Sequence, residues 1–261
     1  MRNILTPSLS LILALLLRSC SATDYCAKKC FNGHGYDEHI GCNNKGAWAS
    51  YCPSDKQLLP LTSVQKAAIV DRHNQHRNFI AGGGASHLSG ACRMATMRWN
   101  DELAYLASLN VRSCQMKHDK CRKTDDFELA GQSLYTMCRS GSFNDTLELI
   151  TAVDACYGEV KHVKQSHIDA FKEIAGPPFI ARFAALVADR NIAVGCAVST
   201  FSWGNMFKTF LMACNYATSI LPEHKVYNSC AKPASKCSTG VNPSYKFLCN
   251  SNEEINPNNV N

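Results

Sequence analysis

Cysteine is the residue that most restricts the fold of this chain, since its 261 residues include 15 cysteines. Cys20 lies near the end of an N-terminal segment that carries Arg2, an apolar run over residues 9–17, and the small residues Ser21 and Ala22. This pattern is typical of a secretory signal peptide, and cleavage after Ala22 would leave fourteen cysteines. An even number of cysteines in an oxidising compartment predicts up to seven disulfides, so we expect a secreted, extracellular protein.

The composition disfavours several other classes of protein. No Cys-x-x-Cys pair typical of zinc sites occurs, and the closest spacing is that of Cys26 and Cys30. The formal net charge is +6, but the densest basic cluster, Lys117 to Lys123, also contains Asp119, which indicates a solvated face. No apolar stretch reaches the roughly 20 residues that a membrane-spanning helix needs. We therefore expect neither a nucleic-acid partner nor a membrane span.

The helical spacing of apolar residues predicts three helices. The first begins with a capping box at Thr62 and Gln65 and runs to about Phe79, and the second covers about 100–114. The third covers about 146–163. Its expected buried side consists of Leu147, Ile150, Val153, Tyr157 and Val160.

Beyond residue 190 the period of the apolar residues changes from helical to alternating. Residues 192–198 and 210–216 each place alternate apolar side chains on one face, which predicts two strands. Cys196 and Cys214 are equidistant from Asn205. An antiparallel hairpin that turns there would place the two cysteines opposite each other, within reach of a disulfide.

Helices followed by strands, with long loops between them, predict an α/β sandwich or α+β domain of about 160 residues. We place this domain at 61–220, after the signal peptide at 1–22 and a cystine-rich N-terminal extension at 23–60. A C-terminal extension with further cysteines covers 221–261. We expect its polar tail, from residue 250 onward, to be mobile.

Four motifs in this order resemble the CAP superfamily of cysteine-rich secretory proteins, in particular its insect antigen-five branch, similar to venom allergen 5. They are His73-Asn-Gln-His-Arg77 in the first helix, Leu211-Met-Ala-Cys-Asn-Tyr216 in the last strand, Asp24-Tyr-Cys26, and the segment 114–122. The resemblance covers about residues 24–250. It implies an α+β fold in which a sheet lies between two helical layers, a three-layer α–β–α sandwich.

The resemblance also implies a disulfide framework. It pairs Cys26 with Cys42, Cys30 with Cys121, Cys52 with Cys114, and Cys196 with Cys214, and the last pair agrees with the predicted hairpin. Outside that set, Cys237 and Cys249 close a short local loop. For the remaining four cysteines we hypothesise the pairs Cys92 with Cys138 and Cys156 with Cys230.

The cleft of this family often contains two histidines and two glutamates that bind a divalent metal. His118 and Glu159 match two of these positions, whereas Gln132 stands in place of the other glutamate and Arg182 in place of the other histidine. Arginine stays protonated and offers only donors, and a fixed cation about 4 Å from a divalent ion costs roughly 8 kcal/mol at an effective dielectric of 20. We therefore expect no cofactor and a degenerate cleft, in which Arg182 pairs with Glu159 and Gln132 forms hydrogen bonds beside them.

These features predict a secreted protein that is not an enzyme. A serine hydrolase pattern Gly-x-Ser-x-Gly is absent from the sequence. The interpretation we favour is a monomeric extracellular binding module for a small apolar ligand, such as a lipid or sterol, or for an extracellular protein. The alternative is a divalent-metal-dependent hydrolase that uses the residual cleft residues. Asn144-Asp-Thr146 is a glycosylation sequon, so we expect a glycoprotein.

Overall fold

The computed structural model describes residues 23–172, 174, 176–204 and 207–259, so the predicted signal peptide lies outside the described residues. Its helices are α1 (Ser63–Ala81), α2 (Asp101–Val111), α3 (Asp145–Tyr157), α4 (Gln165–Asp169) and α5 (Ala181–Val187), and a 3₁₀ helix (Gly158–His162) follows α3. Its strands are β1 (Cys30–Phe31), β2 (Tyr36–Asp37), β3 (Gln57–Leu59), β4 (Arg98–Trp99), β5 (Gly131–Arg139), β6 (Ala193–Trp203) and β7 (Phe207–Tyr216). None of the helices in the described part is long and apolar enough to cross a membrane.

Side-chain caps fix where the three longer helices begin. At α1 the predicted capping box is confirmed: the Gln65 N–H donates to the Thr62 hydroxyl at 3.2 Å, and the Thr62 N–H donates to the Gln65 side chain at 3.0 Å. Asn100 and Asn144 cap α2 and α3 through their side-chain oxygens. Each cap satisfies an N–H group that has no partner within its helix.

The central sheet has the order β3-β6-β7-β5, and β4 pairs in parallel with β6. The predicted hairpin is confirmed, since β6 and β7 are antiparallel with Cys196 opposite Cys214. The sequence analysis did not predict β5, which pairs along its whole length with β7 and forms one edge of the sheet.

The sheet lies between two helical layers. Even-numbered residues of β6 and β7, such as Val194 and Met212, pack with residues of α1, α3 and α5, whereas odd-numbered residues such as Ala197 and Leu211 pack with α2. Helix α2 lies directly on Gly195, where a Cβ would be 2.2 Å from the Ala104 nitrogen. The predicted three-layer α–β–α sandwich is thereby confirmed.

The buried side of α3 differs from the prediction. Leu147 is 61% exposed, and the helix buries the set Glu148, Leu149, Ala152, Val153 and Cys156. Apolar residues occur on both sides of this helix, so their spacing did not identify the buried side. The helix also ends earlier than predicted, because the chain tightens into a 3₁₀ turn at Gly158.

Six disulfides occur among the described residues. Five join the pairs that we expected, Cys26–Cys42, Cys30–Cys121, Cys52–Cys114, Cys196–Cys214 and Cys237–Cys249. The hypothesis for the other four cysteines is wrong, since Cys92 is bonded to Cys230 while Cys138 and Cys156 are free. An antiparallel bridge between Ala91 and Ser229 places Cys92 beside Cys230.

Both extensions pack against the sandwich. Strand β3, from the N-terminal extension, pairs with β6 in the central sheet. In the described part of the polar tail, the Glu253 carboxylate accepts hydrogen bonds from Arg93 at 2.6 Å and from the Thr239 N–H at 2.7 Å, and the mobility of the tail stays a prediction. Asn258 accepts a further hydrogen bond from the Glu128 N–H at 2.8 Å.

Candidate functional site

Gln132 lies in a polar cluster on the α2 side of the sheet. Its side-chain oxygen is 2.7 Å from His118 Nδ1, and its Nε2 donates to Asp119 at 2.6 Å and to Asn215 at 2.9 Å. Since both Nε2 contacts are acceptors, the Gln132 oxygen faces His118, and Nδ1 of that ring must carry the proton. Only Nε2 of His118 is then left as a potential metal ligand.

Glu159 and Arg182 form a separate ion pair in the opposite layer. Arg182 Nε donates to Glu159 Oε1 at 2.7 Å, and the N–H of Phe183 donates to Oε2 at 3.0 Å. Burial alone would lower the pKa of the Arg182 guanidinium, but the hydrogen bond and charge of Glu159 outweigh it, so this pKa is raised. Arg182 therefore remains a cation at any physiological pH.

The expected network is thus only partly present. The ion pair between Arg182 and Glu159 is formed, but Gln132 does not join it: no hydrogen bond between described residues links the two clusters. The physical reason is the alternation of side chains along β5 and β7. Gln132 and Asn215 are opposite each other in the sheet, and both side chains lie on the α2 face. The next residue, Tyr216, points to the other face, and Arg182 lies on that side, since its charge acts on Tyr216.

Two members of the first cluster were missed by the sequence analysis. Asp119 connects it to Arg122, whose Nε donates to Asp119 Oδ1 at 2.8 Å, and Asn215 anchors it to α2 by donating to the Leu103 carbonyl at 3.1 Å. Both residues could have been found from the sequence, because Asp119 directly follows His118 and Asn215 lies within the last of the four family motifs.

The residues present do not fit the divalent metal that the family often binds. The Arg182 guanidinium, which donates to Glu159 Oε1 at 2.7 Å, would repel a cation at this carboxylate. The Asp119 carboxylate is engaged by Arg122 and by Gln132. Within the described ranges, no group of three His, Cys, Asp or Glu residues is placed to hold a metal ion.

A cavity of about 340 Å³ lies beside His118, between the N-terminal extension and the end of α2. Its apolar wall includes Ile40, Trp48 and Leu109, and its polar wall includes Asn110 and Arg112. Asn110 Oδ1 and Arg112 Nε are shielded from solvent and have no hydrogen-bond partner among the described residues. Because solvent does not reach these two atoms, a ligand in the cavity would contact other groups of its wall. By contrast, the cavity between α3 and the sheet measures only about 10 Å³.

The two free thiols differ in environment. Cys156 is buried, and burial raises the pKa of its thiol to about 12, so it is not a nucleophile at neutral pH. Cys138 is exposed on β5, with its sulfur 3.3 Å from the Thr209 hydroxyl. No histidine or carboxylate contacts it within the described residues, so the base that a catalytic cysteine requires is missing.

The predicted glycosylation site lies at the start of α3. Asn144 is exposed, and its side-chain oxygen accepts from the Leu147 N–H at 3.1 Å. A glycan would be attached to the side-chain nitrogen. The capping bond and a glycan are therefore compatible at this residue.

These features define a cystine-stabilised α–β–α sandwich. The family model described as "CAP: Cysteine-rich secretory protein family" matches residues 70–216, and the chain belongs to this family. The predicted antigen-five relationship is confirmed by insect relatives. The "Antigen 5 like allergen Cul n 1" of Culicoides nubeculosus is 37% identical over 204 residues, which cover 74% of this chain and 92% of that protein.

Further relatives match nearly the whole chain. "Venom allergen-1" of Aedes aegypti is 32% identical over 93% of this chain and 92% of its own length. "Tabinhibitin 3" of Tabanus yao is 31% identical over 96% of both chains. Among solved structures, Na-ASP-1 has a TM-score of 0.60 at 21% identity, covering 77% of this chain and 50% of its own. NaASP2 with Zn²⁺ has a TM-score of 0.56 at 20% identity, and the match covers 76% of this chain and 99% of that chain. At these identities, both structures support the fold alone.

Proposed function

We propose that this chain is a secreted, non-catalytic binding module, which holds a small apolar ligand in the cavity beside His118. The observation that carries the non-catalytic role is the ion pair of Glu159 with Arg182, whose Nε donates to Glu159 Oε1 at 2.7 Å. A metal-dependent hydrolase needs a divalent ion with an open coordination position at which water is activated, and the fixed positive charge of Arg182 beside this carboxylate disfavours such an ion. Secretion is supported by the family and by the six disulfides.

The cavity beside His118 supports the binding role. Its volume of about 340 Å³ suits a small organic ligand, and the Trp48 ring provides an apolar surface in its wall. A ligand with an apolar body and one polar end would bury its apolar body against Trp48 and Leu109. Its polar end would face the polar side chains of the wall, among them Gln115 and His118.

The absence of a metal role is tested by thermal unfolding with and without equimolar Zn²⁺ or Mg²⁺. We expect the melting temperature of the purified protein to stay unchanged, because a ligand stabilises a fold only by binding to it. A zinc-dependent rise that disappears in Glu159→Gln would contradict the proposal.

The ligand site is tested by lipid extraction of the purified protein and by binding of a labelled sterol and a labelled fatty acid. We expect Trp48→Ala to weaken uptake of whichever of the two probes the unmodified protein binds. The matched control is Trp203→Ala, which removes an indole that is 53% exposed at the far end of β6. An empty extract together with no uptake of either probe would reject the small-ligand role.

A further inference from the structure

A second and larger hollow, of about 620 Å³, lies between α1 and the C-terminal extension. Asp71, Gln75 and Phe79 line it from α1 at intervals of four residues, so they share one side of the helix. Tyr245 and Phe247 form the opposite wall. None of these residues belongs to the clusters around Gln132 and Glu159.

The aromatic walls of this hollow rest on glycine backbone. A Cβ on Gly82 would lie 2.4 Å from the Phe247 ring, and a Cβ on Gly84 would lie 2.5 Å from the Phe79 ring. The Phe247 N–H also donates to the Asn78 side chain at 2.8 Å, which ties the C-terminal extension to α1. Both phenyl rings thus pack directly against glycine backbone.

One carboxylate, that of Asp71, lies among these rings without an ion pair to a described residue, although the charge of the adjacent Arg72 acts on it. The Tyr245 hydroxyl donates to Asp71 Oδ1, and Gln75 Nε2 donates to Asp71 Oδ2 at 2.7 Å. Both donors are neutral, and Asp71 forms no ion pair with any described residue. The neighbouring Arg72 is held by Asp154, to which its Nη2 donates at 2.8 Å. Each Asp71 oxygen keeps a lone pair for a further donor.

We propose that this hollow binds an organic ammonium ion whose body is aromatic or apolar. The ammonium group would donate to Asp71, while the ring faces of Phe79 and Tyr245 attract its charge. Phe247 would cover only its apolar part, because Lys246 Nζ already lies 5.1 Å from the centroid of the Phe247 ring. The volume is in the range of sites for small organic ligands. An anion of the same shape would be repelled by Asp71, and a neutral analogue would lose the charge interaction.

The test compares 2-phenylethylammonium with its neutral analogue 2-phenylethanol, by titration calorimetry on the full chain at low ionic strength. We expect the ammonium to bind at least about fivefold more tightly than the alcohol, and added salt to reduce this preference. Asp71→Asn removes the charge and keeps the shape, so it should abolish the preference. Asp126→Asn removes one equally exposed charge elsewhere and should leave the preference unchanged.

A second variant separates the aromatic contribution from simple apolar contact. Phe79→Leu keeps an apolar side chain at a position that is 48% exposed but removes the ring face, so it should weaken ammonium binding more than alcohol binding. Equal affinity for the two probes, a preference that survives Asp71→Asn, or no ammonium binding at millimolar concentration would each overturn the proposal.

Discussion

Glu159 illustrates how the charge of a carboxylate can be compensated by one neighbouring residue, Arg182. Its side chain is 6% exposed and pairs with Arg182, which is 31% exposed. Glu159→Gln would leave the guanidinium half-buried without its counter-charge, so we expect a loss of about 1–3 kcal/mol in the free energy of unfolding, measured by urea denaturation. Glu128→Gln, which breaks the exposed pair with Lys123, should change it by less than about 1 kcal/mol. Similar losses in the two variants would show that the Glu159 pair is not structurally important.

Glu253 makes a pH-dependent contribution at the same scale. Hydrogen bonds from Thr239, Ser238 and Arg93 overcome the effect of burial and lower the pKa of this carboxyl from 4.5 to about 2. Because the folded-state pKa is depressed, the stabilisation is fully present above pH 4.5 and is lost as the pH falls towards 2. We expect Glu253→Gln to flatten the fall of the unfolding free energy between these values, measured by denaturant titration at each pH. A slope equal to that of the unmodified protein would contradict this assignment.

Among the elements, α3 shows most clearly what local pattern predicts and what it misses. Its start follows from Asn144, which supplies the cap, but its buried side depends on the sheet and on α1, which lie far along the chain. Asn144→Ala should cost about 1 kcal/mol of stability in unglycosylated protein, while Asn144→Asp should retain most of it, because aspartate also caps well. Urea denaturation of bacterially produced protein measures both. Equal losses in the two variants would exclude the capping role.

The same residue gives a separate prediction for the secreted form. If Asn144 carries a glycan, enzymatic deglycosylation should increase electrophoretic mobility, and both Asn144→Asp and Thr146→Val should abolish that shift. Asn144→Asp keeps the helix cap but cannot carry the glycan. If this variant loses the mobility shift and keeps its stability, the capping role and the glycosylation of Asn144 are shown to be separate. No shift in protein from a glycosylating secretory host would reject glycosylation at this site.

At the scale of the whole molecule, the pairing of the cysteines decides which segments are covalently joined and which thiols stay free. Fourteen cysteines outside the predicted signal peptide form six disulfides and leave Cys138 and Cys156 free in the structure. We expect a thiol reagent to modify one cysteine rapidly in native protein, because Cys156 is buried and its thiol pKa is raised to about 12. Under denaturing, non-reducing conditions two thiols should react. Cys138→Ser should abolish the rapid reaction, whereas Cys156→Ser should leave it unchanged.

The sequence by itself determined the family, the beginnings of the helices and the β6–β7 hairpin with Cys196 opposite Cys214. The helix caps depend on residues three positions apart, the hairpin on alternating residues of two strands that follow each other in the chain, and the family on short motifs that can be read in order. Only the tertiary structure decided that Gln132 and Arg182 lie on different faces of the sheet, that Cys92 pairs with Cys230, and that α3 buries Glu148 rather than Leu147. Each of these depends on which distant segments pack together, and no local period encodes that choice.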